Sequence, residues 1–240
     1  MYGPPSPPHP LTHPPAYPST PHTMPQYIYL HGFASSPQFA KAQAMKARFA
    51  TLGIPLLIPD LNQGDFAHLT LSRQIEQVSA LILSQSEPTG LIGSSLGGLT
   101  AAWVAQQPAI TDRIENLVLL APAFGFLKQW LPRLGPEALN TWRTEGTLSV
   151  YHYTEQRQIP LHYGFITDAQ GYDDNALNAE IPTLILHGTS DETISIEASR
   201  AYAAARPWTK LIELPSDHAL VDVEEDIWQH TQEFLGLGQL

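Results

Sequence analysis

The sequence predicts an α/β protein: three layers, with a mostly parallel sheet, helices on both of its faces and an inserted cap. Three observations predict it. Short continuous apolar runs such as Tyr27–Leu30, Asn116–Leu120 and Thr183–Leu186 read as strands buried on both faces. Amphipathic stretches of helical period lie between them, as where Leu71, Ile75, Val78 and Ile82 recur. The alternation then lapses for about sixty residues, too long for a plain loop in a compact domain. With 240 residues, 43% hydrophobic and 15% charged, the chain is sized for one core.

The first 25 residues hold ten of the 22 prolines and few apolar side chains, so residues 1–25 are expected to be a disordered tail. Its P-x-x-P spacings and His9, His13 and His22 allow an SH3-type ligand or a weak metal-binding tract, but a plain extended polyproline tail is preferred. The α/β domain is expected over 26–240, with core segments 26–123 and 181–240 and a cap at about 124–180. Tyr27–Leu30 is the first strand. Ser36-Pro37 reads as a capping serine with proline at the first helical position, opening a helix to about Leu52 that Gly53 stops. Pro55–Ile58 is the second strand, and the Leu71–Ile82 helix follows. Leu91-Ile92 leads to a turn and a helix over Leu96–Gln107; Asn116–Leu120 and Thr183–Leu186 are further strands. Ser195–Arg206 is a helix, Lys210–Leu214 the last strand and Val223–Leu235 the closing helix. Inside the cap segment, Val150–Tyr153 and Leu161–Phe165 are expected to pair as a hairpin.

The turn after Leu91-Ile92 is Gly93-Ser94-Ser95-Leu96-Gly97, a G-x-S-x-G pattern between a strand and a helix. It makes Ser95 a candidate nucleophile, held in strained backbone where side chains two residues away on either side would collide. Gly93 and Gly97 relieve that crowding. Centring the turn on Ser94 would put Ile92 and Leu96 at the crowded positions.

A serine hydroxyl needs a base, and the base needs an acid to orient it. His187-Gly188-Thr189-Ser190-Asp191 follows one strand and Leu214-Pro215-Ser216-Asp217-His218 follows another, placing Asp191 and His218 at the carboxyl edge of the sheet. Asp217 is a rival acid, expected instead to cap the following helix. Asp168, Asp173 and Asp174 lie in the insertion, with one of them a candidate to reach the pocket. Donors for a developing oxyanion are expected from the backbone N–H groups of Phe33, after the first strand, and of Leu96. His31 is expected to pack behind its loop. In the insertion, Trp130, Tyr151 and Phe165 are candidate substrate-binding aromatics.

These motifs carry a resemblance. Tyr29-Leu30-His31-Gly32-Phe33-Ala34-Ser35-Ser36-Pro37 together with Gly93-Ser94-Ser95-Leu96-Gly97-Gly98 resembles the α/β-hydrolase superfamily, and within it the small YqiA-like serine esterases. The likeness implies an α/β-hydrolase fold from about Tyr27 onward and esterase or thioesterase activity on a small-molecule substrate. Ser95, Asp191 and His218 stand at the triad positions, and Phe33 and Leu96 at the oxyanion positions. Two other readings stay open. One keeps the triad for carbon–carbon bond cleavage, with Arg133, Arg143 or Arg157 holding substrate carboxylates; the other is a non-catalytic small-molecule-binding homologue.

Net charge of −11 without a Lys/Arg cluster argues against a nucleic-acid partner. The cysteine count is zero, which removes disulfides, thiolate nucleophiles and cysteine metal sites. No H-E-x-x-H spacing is present, so neither a metal nor a cofactor is expected. No apolar run is long enough to span a bilayer, and Met1–Pro10 has no secretory-signal pattern, so a cytoplasmic location is expected.

Overall fold

The apolar runs become strands in the computed structural model, which describes residues 26–238; the expected proline-rich tail lies outside the described residues. In chain order the principal elements are β1 (Gln26–Leu30), α1 (Ala40–Thr51), β2 (Leu56–Leu57), α2 (Leu71–Leu83), β3 (Thr89–Ser94), α3 (Leu96–Ala105) and β4 (Ile114–Leu120). After these come α4 (Phe126–Glu145), β5 (Thr147–His152), β6 (Arg157–His162), α5 (Gly164–Ala169), β7 (Thr183–Gly188), α6 (Ile196–Ala204), β8 (Thr209–Leu214) and α7 (Glu224–Leu235). Six strands form one parallel sheet in the order β2-β1-β3-β4-β7-β8, and β5-β6 is a separate antiparallel hairpin.

Alternation along each strand sorts the core into two layers. Leu117 and Leu119 of β4 join Ile28, Leu30 and Leu91 under α2, α3 and the insertion, while Val118 and Leu120 join Tyr27, Tyr29 and Ile92 under α1 and α7. Between α1 and α7, Phe49 is fully buried, its ring centroid 5.2 Å from Tyr27 and 5.6 Å from Trp228. Every residue of α3 is buried, so this helix is the spine of the first layer. The sheet order reverses direction at β1 and β3, and a crevice at the carboxyl ends of those strands is where such sheets bind ligands.

Two expectations need correction. Ser36 does not open α1: its hydroxyl accepts from the Gln38 N–H, forming a turn, and the helix begins at Ala40. The hairpin pairs Thr147–His152 with Arg157–His162, with Leu148 opposite Leu161. The Tyr163 N–H still donates to the Gly146 carbonyl, but its own carbonyl accepts the Ile166 and Thr167 N–H groups, so the chain leaves the hairpin there and starts α5. The stretch before the hairpin, for which the sequence pattern assigns no element, is the long helix α4. It contains Pro132 and Pro136 and is broken at Gly135, whose φ of 78° is left-handed.

Backbone approach at the sheet edge is tight. A Cβ on Gly97 would lie 2.2 Å from the Leu30 carbonyl oxygen and 2.6 Å from that of His31. Gly97→Ala should therefore displace α3 from β1 and lose about 3 kcal/mol or more of stability. Gly164→Ala, whose added Cβ meets nothing within 4 Å, should be neutral or gain up to about 1 kcal/mol. Urea unfolding of the two variants beside the parent checks the contrast.

Candidate active site

The end of β3 delivers Ser95 with φ 53° and ψ −118°, a conformation that non-glycine residues avoid. Neighbouring backbone holds it there. The Ser95 N–H donates to Leu120 at 2.9 Å, and its carbonyl accepts from the N–H groups of Gly98, Leu99 and Ala123. Gly93 makes the turn sterically feasible, since a Cβ there would sit 2.4 Å from the Gly97 oxygen. The strained turn presents Oγ toward the loop after β8, and His218 Nε2 lies 3.0 Å from it.

His218 Nδ1 is 2.7 Å from Asp191 Oδ2. An ionised Asp191 only accepts, so Nδ1 carries the imidazole proton and Nε2 is left to accept from Ser95. The Asp191 side chain is fully buried, which by itself raises its pKa. Hydrogen bonds from His187, His218 and the Ile194 N–H outweigh that burial and hold the carboxyl well below the usual carboxylate range. Its Oδ1 accepts the Thr193 and Ile194 N–H groups at 2.8 Å each.

His187 is a contributor that the sequence reading missed. It is wholly buried, with Nε2 facing Asp191 Oδ2 at 3.1 Å and the Ile194 carbonyl at 3.0 Å. Both are acceptors, so Nε2 bears the proton and Nδ1 accepts from the Ser199 hydroxyl at 2.8 Å. The available signal was its place four residues before Asp191 in the same turn. Behind that turn the loops after β7 and β8 nearly touch: a Cβ on Gly188 would be 2.4 Å from the Ser216 oxygen.

Phe33 and Leu96 also meet at the cavity. Neither N–H donates to another group among the described residues. Leu96 opens α3, where the helix leaves its first amides unpaired. The Gly32-Phe33 peptide is anchored from behind: His31 Nδ1 donates to the Gly32 carbonyl at 3.0 Å, and Nε2 accepts the Leu61 N–H at 3.0 Å. A planar peptide held by its carbonyl has a fixed N–H direction. The same loop is tied to the insertion, because the Ala34 carbonyl accepts the Tyr153 N–H at 2.9 Å.

These groups open into a cavity of about 650 Å³ whose walls include Phe126, Trp130, Tyr151 and Phe165 of the insertion. Phe33 packs its ring 5.7 Å from Trp130 and 5.4 Å from Phe165. Asp217 also lines the cavity, but its carboxylate holds the Ala219 and Leu220 N–H groups, capping a turn rather than α7. Asp168 accepts from Ser72, Asp173 from Asn175, and Asp174 from Gly125 and Trp103, so none of the three reaches the cavity. Arg143 pairs with Asn140 and Arg157 with Glu155, away from it; only Arg133 of the three arginines lines it.

A hydroxyl, an imidazole and a buried carboxylate linked in series, beside two free amides, can activate a serine and stabilise an oxyanion. The comparisons agree with the fold that carries this arrangement. The chain belongs to the uncharacterised protein family UPF0227, whose family model matches residues 26–235. It has the α/β-hydrolase fold, as three solved structures illustrate. Alpha/beta hydrolase domain-containing protein 10 from mouse is 21% identical with a TM-score of 0.73, over 89% of this chain and 90% of that one. Est1E from Butyrivibrio proteoclasticus, with ferulic acid bound, is 22% identical at 0.74, over 91% and 90%. A monoacylglycerol lipase from Paleococcus ferrophilus is 17% identical at 0.68, over 88% and 93%. No helix among the described residues is long and apolar enough to cross a membrane.

The depressed Asp191 pKa makes a stability prediction. A carboxylate whose folded pKa lies below its unfolded value contributes stability that is present above the unfolded value and lost as pH falls through the folded one. The urea-midpoint gap between the parent and Asp191→Asn should therefore be widest near pH 7 and narrow progressively below about pH 4. A gap that is constant from pH 7 to pH 3 would sink the assignment.

Proposed function

We propose that this protein is a serine hydrolase of carboxylic esters or thioesters, acting through an acyl-enzyme on Ser95 without a cofactor. The observation that carries the reading is the unbroken series Ser95 Oγ, His218 and Asp191, joined at 3.0 and 2.7 Å at the mouth of an apolar cavity. Ser95 Oγ attacks the carbonyl carbon as His218 Nε2 takes its proton. Asp191 keeps the imidazole in the required tautomer and offsets the charge it gains. The carbonyl oxygen becomes an oxyanion facing the N–H groups of Phe33 and Leu96, each worth on the order of 3 kcal/mol to such a transition state. His218 then protonates the departing alcohol or thiol. A water molecule, deprotonated by the same nitrogen, releases the acid and restores Ser95.

The segment between β4 and β7 acts in this scheme as a cap, its aromatic side chains forming the wall against which the substrate lies. Carbon–carbon bond cleavage is less favoured, because the cavity has Arg133 alone of the arginines that would clasp a dicarboxylate.

Turnover of p-nitrophenyl esters of increasing chain length tests the reading. Ser95→Ala and His218→Ala should each lower kcat by about 10³-fold or more, with Ser94→Ala mild. Equal damage from Ser94→Ala in folded protein would move the nucleophile, and failure to label with a fluorophosphonate would favour a silent binding protein. For the cap, alanine at Trp130, Tyr151 or Phe165 should shift the chain-length profile, at about 1 to 3 kcal/mol for the chain that fills the vacated space. A profile identical to the parent's in all three variants would remove the cap from substrate selection.

A further inference from the structure

The cavity draws its walls from both layers of the molecule. Phe33, Phe126, Trp130 and Phe165 come from the layer under the insertion, and Tyr29 and Ala42 from the layer under α1 and α7. On the α1 side stands Lys41, half-buried and next to Ala42 in the cavity wall.

Lys41 has no hydrogen-bond or ion-pair partner among the described residues, and the charges that act on it do so from a distance. Those charges are Glu224, Asp217 and Asp191, and each is placed to serve another element. Asp191 is filled by His187, His218 and two backbone amides; Asp217 caps its turn; Glu224 stands in the first turn of α7. Burial pulls the ammonium down to about pKa 8 in spite of all three. A lysine ordinarily carries its head to water to escape that cost. Here Lys41 lines a cavity in which Asp217 is the sole carboxylate, and Arg133, also in the lining, gives one N–H to the Thr193 carbonyl at 3.0 Å. In a chain of net charge −11, this lining carries two cationic side chains against one carboxylate.

We propose that Lys41 is a specificity-determining residue that recognises an anionic oxygen group, carboxylate or phosphate, on the half of the substrate lying against α1. The substrate is then two-ended, with an apolar part against the insertion aromatics and a charged part at Lys41, and Ser95 acting between them. This rests on the hydrolase reading above.

Two matched pairs test it and locate the charge. The first is p-nitrophenyl butyrate against the p-nitrophenyl hemisuccinate, which places a carboxylate on the acyl side. The second is butyryl-N-acetylcysteamine against butyryl-coenzyme A, which places phosphates on the thiol side. At pH 7 the full-length protein should favour the charged member of one pair by about tenfold in kcat/KM. Lys41→Met should bring that ratio near one, and Lys41→Arg should keep it. The wild-type ratio should fall as pH rises through about 8, where the lysine gives up its proton, while that of Lys41→Arg holds to pH 9. His218, Asp217, Asp191 and Glu224 are common to both proteins, so the difference between them reports residue 41.

A binding arm needs no turnover. Tryptophan fluorescence of Ser95→Ala, titrated with monomethyl succinate, methyl butyrate and coenzyme A, should show tighter binding of one of the charged compounds, and Ser95→Ala/Lys41→Met should lose it. Ratios near one in both pairs, or a preference that survives Lys41→Met in turnover or binding, would overturn the proposal while leaving the hydrolase reading intact. Absence of turnover with all four substrates would count against that reading instead, and the binding arm would still decide the role of Lys41.

Discussion

Backbone packed directly on backbone at the carboxyl edge of the sheet is the constraint on which the rest of this structure depends. The loops after β1, β3, β7 and β8 must converge there, and side chains between them would hold them apart. Gly97 lets the first turn of α3 lie on the end of β1, and Gly188 lets the turn bearing Asp191 lie on the segment bearing His218. Each contact replaces a side chain with a carbonyl. The hydrogen bonds that join Ser95, His218 and Asp191 follow from that approach, and so does the strained backbone of Ser95, anchored through Leu120 and Ala123 of the neighbouring strand and loop. Removing a hydroxyl here alters chemistry; adding a methyl to one of these glycines alters the scaffold itself.

Polar saturation supports this geometry from behind. Asp191 has no oxygen without partners, and the histidine beneath it is fixed in one tautomer by a carbonyl, a carboxylate and a hydroxyl. His31 does comparable work on the other side, holding the Gly32 carbonyl with one nitrogen and the Leu61 amide with the other. A buried polar group with every partner supplied has little freedom to rotate, and rigidity of that kind is what a preorganised site requires. Two histidines outside the proposed proton shuttle thus do structural work on either side of it.

The sheet was readable because its strands are uninterrupted apolar runs ending in turns of distinctive composition. The turns holding Ser95, Asp191 and His218 were readable for the same reason: glycine, serine and aspartate at a strand end have few local alternatives. The insertion was far less legible. In α4, Pro132, Gly135 and Pro136 disrupt the periodic pattern that would announce a helix, and the helix is in fact two halves meeting at a kink. Tyr163 and Phe165 are residue types favoured in strands, yet the Tyr163 carbonyl accepts the Ile166 and Thr167 amides and a helix begins. His187 and Lys41 escaped notice because their significance lies in what surrounds them, which no spacing encodes.

One bond described above links regions that differ in purpose. The Tyr153 amide, at the tip of the β5-β6 hairpin, donates to the carbonyl of Ala34, one residue beyond Phe33. Ala34 is itself in the left-handed region, with φ 52°, and its neighbour Ser35 is held through its carbonyl by Asn62. The hairpin and the loop therefore share a mechanical joint. On the proposed chemistry, the hairpin braces the loop that carries the Phe33 N–H, so cutting that brace would be felt in turnover as well as in affinity. On that reading one backbone amide ties recognition to reactivity.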